Sequence, residues 1–353
     1  MATRTVNPKM IVLARQSRGL TQSRLATEAG IPQAKISKIE AGLADVADET
    51  LTTLAKVLDY PESFFHQEDE LYGFDTSVLF HRKRESIGSK ILDKVHALIN
   101  IRRIHIARLL EAADIDPAKS FPRFDIDEFE GRIDKVAQAV RATWVLPRGP
   151  VDNVTKAIED AGGIVVRFDF GTRLIDAISQ RVPRLPPIFF INKDVPGDRL
   201  RWSLAHELGH IVMHRSLNPN IEDQANDFAA NFLMPASEVR PHLAQVNTAK
   251  LAALKPYWKV AMSALLKRAA DLGMITERNA RYIWMQFSKA GYRLREPAEI
   301  DIVVEEPRTL TKLLALHRDS LGYSINDLAQ LLDENEPAIR SMYFGQQPLR
   351  AVR

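Results

Sequence analysis

The residues with the clearest capacity for chemistry lie in one short stretch, residues 203–214. It contains His206-Glu207-x-x-His210, two imidazoles four residues apart with a carboxylate beside the first. On a helix this spacing places both rings on one face, one turn apart, where they can bind a single zinc ion. Glu207 lies about 100° round the helix, so we expect it to take a proton from the attacking water instead. The alternative is a core helix with two hydrogen-bonded histidines.

A catalytic zinc site needs a third protein ligand. The metzincin continuation requires Gly and His where this chain has Met213 and Ser216, so that pattern is excluded. His214 drifts off the shared face and is expected to support a ligand or to pack. Glu222 borders an apolar helical stripe and is the expected third ligand, which leaves a fourth position open for catalysis. The alternative for Glu222 is a solvated acid in a first helical turn.

These residues also carry a family resemblance. The His206–His210 pattern, followed by the acidic and apolar pattern from Glu222 to Pro235, resembles the ImmA/IrrE-type metallopeptidases, as does the lead-in at residues 197–203. The resemblance implies that His206, His210 and Glu222 bind zinc and that Glu207 is the general base. Separate peptidases of this kind resemble proteins that cleave XRE-type repressors. The implied substrate is therefore a partner repressor or the chain's own DNA-binding domain.

Length and composition indicate a soluble protein of two or three domains. The chain has 353 residues, 45% of them hydrophobic and 26% charged, and no apolar run approaches membrane-spanning length. The first eight residues lack the apolar core of a signal peptide, so we expect a cytoplasmic location and no membrane. The absence of cysteine excludes thiolate ligands, and any metal must use His and carboxylates. A net charge of +3 permits nucleic-acid binding without arguing for it.

The front of the chain predicts a helix-turn-helix. Apolar periodicity places helices near residues 9–18, 22–28, 32–41 and 49–58. Thr21 is a natural N-cap, and Gly30 can take the positive φ of a tight turn. Two short helices joined by such a turn place the second helix in the major groove of DNA.

The third of these helices carries residues that can read bases. Gln33, Lys35, Ser37 and Lys38 fall on its outward face, where Gln can pair with adenine and Lys or Ser can reach bases or phosphates. The alternative is a solvated polar face. Residues 18–42 resemble the XRE (Cro/repressor-type) family, in which positions matching Gln22, Gln33 and Ser37 commonly contact DNA. The resemblance implies an operator in double-stranded DNA and a homodimer on paired half-sites.

The rest of the chain predicts further helices and a small sheet. Residues 81–84 are a basic cluster that either contacts phosphates or forms a solvated face. Strands are expected at 164–170, 174–180 and 187–192, and an edge strand could align an extended peptide by main-chain pairing. Further helices are expected near 89–113, 126–143, 150–161, 262–272, 277–290, 310–319 and 324–332. Residues 255–290 resemble a second helix-turn-helix-like module, and we expect no internal repeat.

We therefore expect a mainly α protein with a small β-sheet, an α+β fold. The expected domains are an all-α helix-turn-helix at 1–70, a helical linker at 71–125, a zincin-like domain at 126–245 and a C-terminal helical module at 246–353. The predicted function is a DNA-binding regulator with a zinc-dependent endopeptidase domain. The alternative is a repressor or antitoxin whose second domain senses metal or a small effector without cutting. Three residues are open as the oxyanion-stabilising group: Tyr257, His242 and His214.

Overall fold

The chain divides into two compact units. A computed structural model describes residues 5–73, 87–113, 117–214 and 219–345. Unit 1 holds the described residues up to 73, those from 87 to 113 and those from 310 onward, and unit 2 holds 117–309 apart from the gap at 215–218. The expected mainly α fold with a small sheet is confirmed. No described helix combines the length and apolar character that a membrane crossing requires. The basic cluster at 81–84 lies outside the described residues.

Unit 1 begins with four helices around one core: α1 (Pro8–Ser17), α2 (Gln22–Ala29), α3 (Gln33–Glu40) and α4 (Asp48–Leu58). Thr21 caps α2 by accepting a hydrogen bond from the Arg24 N–H, as its position predicts. Gly30 ends α2 with a φ of 66°, which turns the chain into α3. Buried aliphatic residues from all four helices form the core.

Helix α5 (Ser89–Glu111) is the long helix of unit 1. Ala97, Ile101 and Ile104 on one side of it belong to the same core as α1–α4. Arg103 on α5 is largely buried and stacks over the ring of Tyr72 at 4.9 Å. Helix α5 is therefore part of the helix-turn-helix unit and not a free linker.

Unit 2 is built around a three-stranded sheet. Its first elements are α6 (Ile133–Thr143), α7 (Val154–Asp160), β1 (Ile164–Phe168), β2 (Ala177–Gln180) and β3 (Ile188–Asn192). The strand order is β1-β3-β2, with β1 parallel and β2 antiparallel to β3. The first two strands are shorter than the sequence predicts. The chain turns between them, where Asp169 accepts a hydrogen bond from the Gly171 N–H and ends the strand pattern.

Further α-helices complete unit 2, and the first of them packs on β2 and β3 of this sheet. They are α8 (Gly197–Met213), α9 (Ile221–Leu233), α10 (Ala236–Val239), α11 (Thr248–Trp258), α12 (Met262–Asp271) and α13 (Glu277–Lys289). Trp144, Phe228, Phe232 and Phe287 are buried in their common core. A Cβ at Gly197 would lie 2.2 Å from the Ile302 carbonyl oxygen, so the start of α8 requires glycine.

Buried ion pairs tie the segment after α13 to the body of unit 2. Lys255 on α11 donates to Asp198 at 2.6 Å and to Glu296 at 2.7 Å, and all three side chains are at most 9% exposed. Arg201 on α8 pairs with Glu305, which also accepts a hydrogen bond from the Thr155 N–H. Each buried charge thus has an opposite charge beside it, which offsets part of its desolvation cost.

The last helices return to unit 1. They are α14 (Thr309–Ala315), α15 (Ile325–Leu331) and α16 (Glu336–Ile339), and a turn of π-helix follows both α14 and α16. Leu314, Leu328, Leu332 and Ile339 form a small core with Leu109 of α5. The expected domain limits remain predictions. The packing separates α11–α13, which belong to unit 2, from α14–α16.

The expectation of no internal repeat is wrong, because residues 310–345 repeat the pattern of the first helix-turn-helix. A constant offset along the chain aligns Thr21 with Ser324, each of which caps a helix with its hydroxyl oxygen. The same offset aligns three pairs of residues with positive φ: Gly19 with Gly322, Gly30 with Asp333, and Gly42 with Gly345. Nine of the 36 aligned residues are identical between the copies, and the residues that carry the family motif of the first copy are mostly replaced in the second.

Candidate functional sites

Helices α8 and α9 cross closely and bring three metal-binding side chains together. A Cβ added at Gly209 would lie 3.1–3.2 Å from atoms of Phe228, so glycine permits this close approach. The crossing places Glu222, in the first turn of α9, opposite His206 and His210 on α8. One potential ligand atom from each of these three residues lies within 4.8 Å of the others. The cluster is a possible His-His-Glu metal site.

The distances within the cluster are short. The Nε2 atoms of His206 and His210 are 3.0 Å apart. Glu222 places Oε2 3.5 Å from His206 Nε2 and Oε1 3.3 Å from His210 Nε2. The side chains are 14%, 5% and 14% exposed for His206, His210 and Glu222, so water has little access to them.

Hydrogen bonds on the far side of each ring fix which nitrogen faces the centre. His206 Nδ1 lies 3.2 Å from Asn226 Oδ1, which can only accept, so Nδ1 carries the proton. His214 Nε2 likewise donates to Gln224 Oε1 at 3.1 Å, which leaves His214 Nδ1 as an acceptor. His210 Nδ1, at 2.9 Å, must donate to it. When both rings are neutral in these tautomers, the two Nε2 atoms present lone pairs to the same point, which is the state that can bind a cation.

The charges of the cluster fit a cation. Burial would raise the pKa of Glu222, but His206 and His210, when a ring carries a proton on Nε2, hold it well below its usual range. Burial would lower the pKa of His206, but Glu222 and Glu207 outweigh it and the pKa is raised. Glu222 Oε1 is buried and accepts no hydrogen bond from a described residue. Two facing lone pairs and an ionised carboxylate form the donor set that a divalent metal takes.

The sequence analysis predicted only some of the residues that hydrogen-bond to the metal cluster and support it. His214 contacts His210, in keeping with its predicted supporting position, and burial together with the His210 charge lowers its pKa to about 4. It is therefore neutral near pH 7 and able to accept the His210 proton. Sequence reasoning missed Asn226 and Gln224, although Asn226 follows Glu222 by one helical turn and so shares its face. This spacing was the available signal.

Glu207 lies apart from the three convergent groups. Its side chain is buried, and its Oε2 accepts hydrogen bonds from the Ser179 N–H at 2.9 Å and from the Ser179 Oγ at 2.6 Å. Ser179 belongs to β2, which lies at one edge of the sheet in the described residues. Glu207 therefore already accepts the hydrogen bond of one N–H group on β2, an edge strand of the kind predicted to align a peptide. The alignment itself remains a prediction.

One face of α8 opens toward solvent. Arg199, Trp202 and His206 are the residues of this helix that are not buried, and their spacing places them on one stripe. A cavity of about 690 Å³ is bordered by Trp202 and by Asn226, the partner of His206. Asn226 and Gln224, which support the cluster, line this cavity, whereas His206, His210 and Glu222 do not.

The three residues left open for oxyanion stabilisation lie in two places. His242 and Tyr257 stack on each other with ring centroids 5.3 Å apart. Among hydrogen bonds of the described residues, His214 is the one of the three that reaches a member of the metal cluster.

In unit 1, α3 presents the predicted base-reading residues. Gln33, Lys35 and Lys38 are exposed, whereas Ser37 and Gln22 are half-buried. Gln33 Nε2 donates to Gln22 Oε1 at 3.1 Å, so the two glutamines form one unit. Lys35 Nζ lies 3.3 Å from Thr50 Oγ1 and is held near the start of α4.

A network missed by the sequence analysis fixes the two glutamines. Gln22 Nε2 donates to Glu40 Oε2 at 2.8 Å. Arg15 from α1 binds the same carboxylate with two donors, at 2.6 and 2.9 Å. This fork-shaped pair is a strong and directional contact. Gln33 is therefore oriented through Gln22 before any DNA is bound.

Comparison with known families finds matches to two parts of the chain. Residues 11–65 match the family model described as Helix-turn-helix, and residues 159–270 match the peptidase M78 model described as IrrE N-terminal-like domain. No curated protein matches the chain. The recognition made from the sequence is confirmed. The chain combines an XRE-type helix-turn-helix domain with an IrrE N-terminal-like domain of the peptidase M78 family.

Proposed function

We propose that this DNA-binding regulator carries a zinc-dependent endopeptidase that cleaves a repressor-type protein, either a partner or its own DNA-binding domain. The observation that carries the proposal is the pair of Nε2 lone pairs of His206 and His210 facing the ionised Glu222. Two imidazoles and one carboxylate are the protein ligands of a catalytic zinc with an open position. Zinc bound there supplies a Lewis acid for the peptide carbonyl.

The chain's own residues supply the proton transfers. We propose that Glu207, next to His206 on α8, takes a proton from the attacking water and later gives it to the leaving amine. Ser179 holds the Glu207 carboxylate through two hydrogen bonds to one oxygen, so the other oxygen is the one available for the proton. The open stripe of Arg199 and Trp202 on α8 is the proposed approach of the peptide.

The metal assignment has a direct test. His206→Ala and Glu222→Ala should abolish zinc binding or weaken it strongly, since each removes one of three ligands. Glu207→Gln is the matched control and should keep the metal, because Glu207 is not one of the convergent groups. Zinc content would be measured in the purified full-length variants. Stoichiometric zinc in both Ala variants would refute the assignment.

For DNA, we propose that Gln22, Gln33, Lys35, Ser37 and Lys38 contact an operator in double-stranded DNA, with two chains on paired half-sites. The support is the exposure of α3 and the braced pair of glutamines. Replacing Gln33 by Ala should reduce discrimination between operator and mismatched DNA by about 1–3 kcal/mol. Equal loss on all sequences would instead assign Gln33 to the phosphate backbone.

A second function is favoured by the hydrogen bonds of Glu207. A carboxylate that is buried and bound twice by Ser179 is also what a purely structural residue would show, as in a metal-sensing repressor that cuts nothing. Glu207→Gln distinguishes the two, because one oxygen accepts both bonds and a Gln carbonyl oxygen can keep them. Loss of a general base lowers a rate by about 10²–10⁴-fold.

The measurement is a promoter reporter under inducing conditions, alongside mass spectrometry of candidate repressors incubated with metal-loaded protein. The peptidase proposal expects defined fragments from the native protein, none from Glu207→Gln, and a variant that no longer responds to the inducer. The sensor alternative expects normal induction with Glu207→Gln and loss of induction with His210→Ala. Normal induction in Glu207→Gln would refute the peptidase proposal.

A further inference from the structure

The second helix-turn-helix copy, residues 310–345, repeats the first copy in its backbone bonds as well as in its turns. Within the first copy, backbone N–H groups join Leu25 to Thr21, Ile31 to Ala26 and Ile36 to Pro32. The same offset gives the corresponding bonds of the second copy, from Leu328 to Ser324, from Glu334 to Ala329 and from Ile339 to Asn335. We infer that this second copy binds protein, namely helix α5 of its own chain, in place of DNA.

The second copy lacks the DNA-binding side chains of the first. At the positions of Lys35 and Lys38 it has Ala338 and Ser341, neither of which carries a charge. At the position of Gln33 it has the acid Glu336. A face without free cations gains nothing from the phosphate backbone, which supplies most of the affinity of DNA-binding proteins.

Arg340, at the position of Ser37, is the cation that remains on this face, and it is paired with an acid. Arg340 donates to Glu336 Oε1 at 2.6 and 2.9 Å, one helical turn away. Two more acids, Asp333 and Glu334, lie just before α16, where the first copy has Gly30 and Ile31. Neither position supplies a cation that could bind a phosphate.

The contacts that orient the first copy's glutamines are replaced by aromatic contacts. In the first copy Glu40 binds Arg15 and Gln22. The counterpart of Glu40 is Tyr343, and the counterpart of Arg15 is Arg318, which lies over the ring of Phe344 at 5.1 Å. The counterpart of Gln22 is Ile325, which cannot accept or donate a side-chain hydrogen bond.

Tyr343 is turned toward α5. Its hydroxyl lies 2.9 Å from His105 Nδ1, and the Arg102 guanidinium lies over its ring at 4.4 Å. Arg108, one turn further along α5, donates to Asp333 at 2.7 Å and to Asp69 at 3.2 Å. Glu40 thus supports the proposed DNA-reading glutamines of the first copy, whereas its counterpart Tyr343 anchors the second copy to α5.

The closing experiment uses the full-length chain, and it rests on the proposed DNA reading by the first copy. Binding to a labelled random-sequence duplex would be measured by fluorescence anisotropy over a range of salt concentrations. Lys35→Ala and Lys38→Ala should each reduce the slope of log affinity against log salt by about 1. Arg340→Ala removes the cation at the position of Ser37 in the second copy and should leave the slope unchanged. A slope reduced as much by Arg340→Ala as by Lys38→Ala would overturn the inference.

Amide hydrogen exchange tests the protein contact separately. Tyr343→Ala should speed exchange in residues 325–345, because it removes the contacts with Arg102 and His105, whereas Arg340→Ala should not. Tyr343→Phe, which loses the hydroxyl but keeps the ring, should give a smaller increase and serves if the Ala variant does not fold. Unchanged exchange in both Tyr343 variants would overturn the assignment to α5. If no Lys variant changes the salt dependence, the proposed DNA reader fails, and the exchange result still decides the role of the second copy.

Discussion

Glu334, in the second helix-turn-helix copy, should make the folding stability of the protein depend on pH, and this dependence can be measured. It occupies the position of Ile31, which packs against the core of the first copy. Glu334 is 3% exposed, and its Oε2 has no hydrogen-bond partner among the described residues. Burial raises its pKa from 4.5 to about 7, against a hydrogen bond from the Asn335 N–H and the charge of Arg18, which lower it.

The size and sign of the effect follow from this pKa. A folded-state pKa of about 7 for a group whose usual value is 4.5 corresponds to about 3 kcal/mol. Because the folded state holds the proton more tightly, this stability is fully present below about pH 4.5 and is lost as the pH rises through about 7. Glu334→Gln has no such loss. Relative to the native protein it should be stabilised by up to about 3 kcal/mol near pH 8 and hardly at all near pH 4.5.

Urea unfolding followed by circular dichroism at several pH values would measure the difference. The control is Glu336→Gln, because Glu336 lies two residues away and makes a partly exposed ion pair with Arg340. The control should shift the unfolding free energy by less than about 0.5 kcal/mol. A Glu334→Gln effect that is the same at both ends of the pH range would refute the reasoning.

Three further perturbations test the packing around the metal cluster. Gly209→Ala should cost about 1–3 kcal/mol of unfolding free energy, because the new methyl group meets Phe228, although Ala is favoured in an open helix; a gain in stability would contradict this. Lys255→Met should cost about 3–5 kcal/mol by leaving its two buried carboxylate partners without a cation. The exposed control Lys267→Met should cost under about 0.5 kcal/mol in the same thermal or urea unfolding assay. His214→Ala should weaken zinc affinity by about 10–100-fold in a chelator competition assay, and unchanged affinity would exclude the proposed support of His210.

Local patterns were sufficient for much of the fold and for the candidate site. The spacing of His206 and His210 is a property of one helix, so their proximity follows from helix geometry alone. The apolar stripe of α9 likewise indicated which side of Glu222 faces inward. Caps and glycines placed the helices of the first copy within a few residues, as Thr21 and Gly30 illustrate.

Tertiary contacts accounted for what the sequence analysis missed. The hydrogen bond from His214 to Gln224 and the one from Ser179 to Glu207 join separate elements, and neither partner residue has a spacing that marks it. The network of Arg15 and Glu40 joins α1 to α3 in the same way. The second copy was missed for another reason. Its repeat lies in backbone conformation and caps, whereas its side chains changed when their contacts changed.

The way the chain is threaded bears on which protein the proposed peptidase cuts. Unit 1 is assembled from both ends of the chain, and unit 2 is inserted between α5 and α14. A cut in either connection between the units would leave α1–α4 folded on α5 and still able to bind DNA. A cut within the reader itself would fall in residues 8–58, most of which are hydrogen-bonded in helices. Pairing of a substrate with an edge strand, as the sequence predicts, requires an extended peptide, so the helical reader is a poorer substrate for the proposed peptidase than an extended segment of a partner protein.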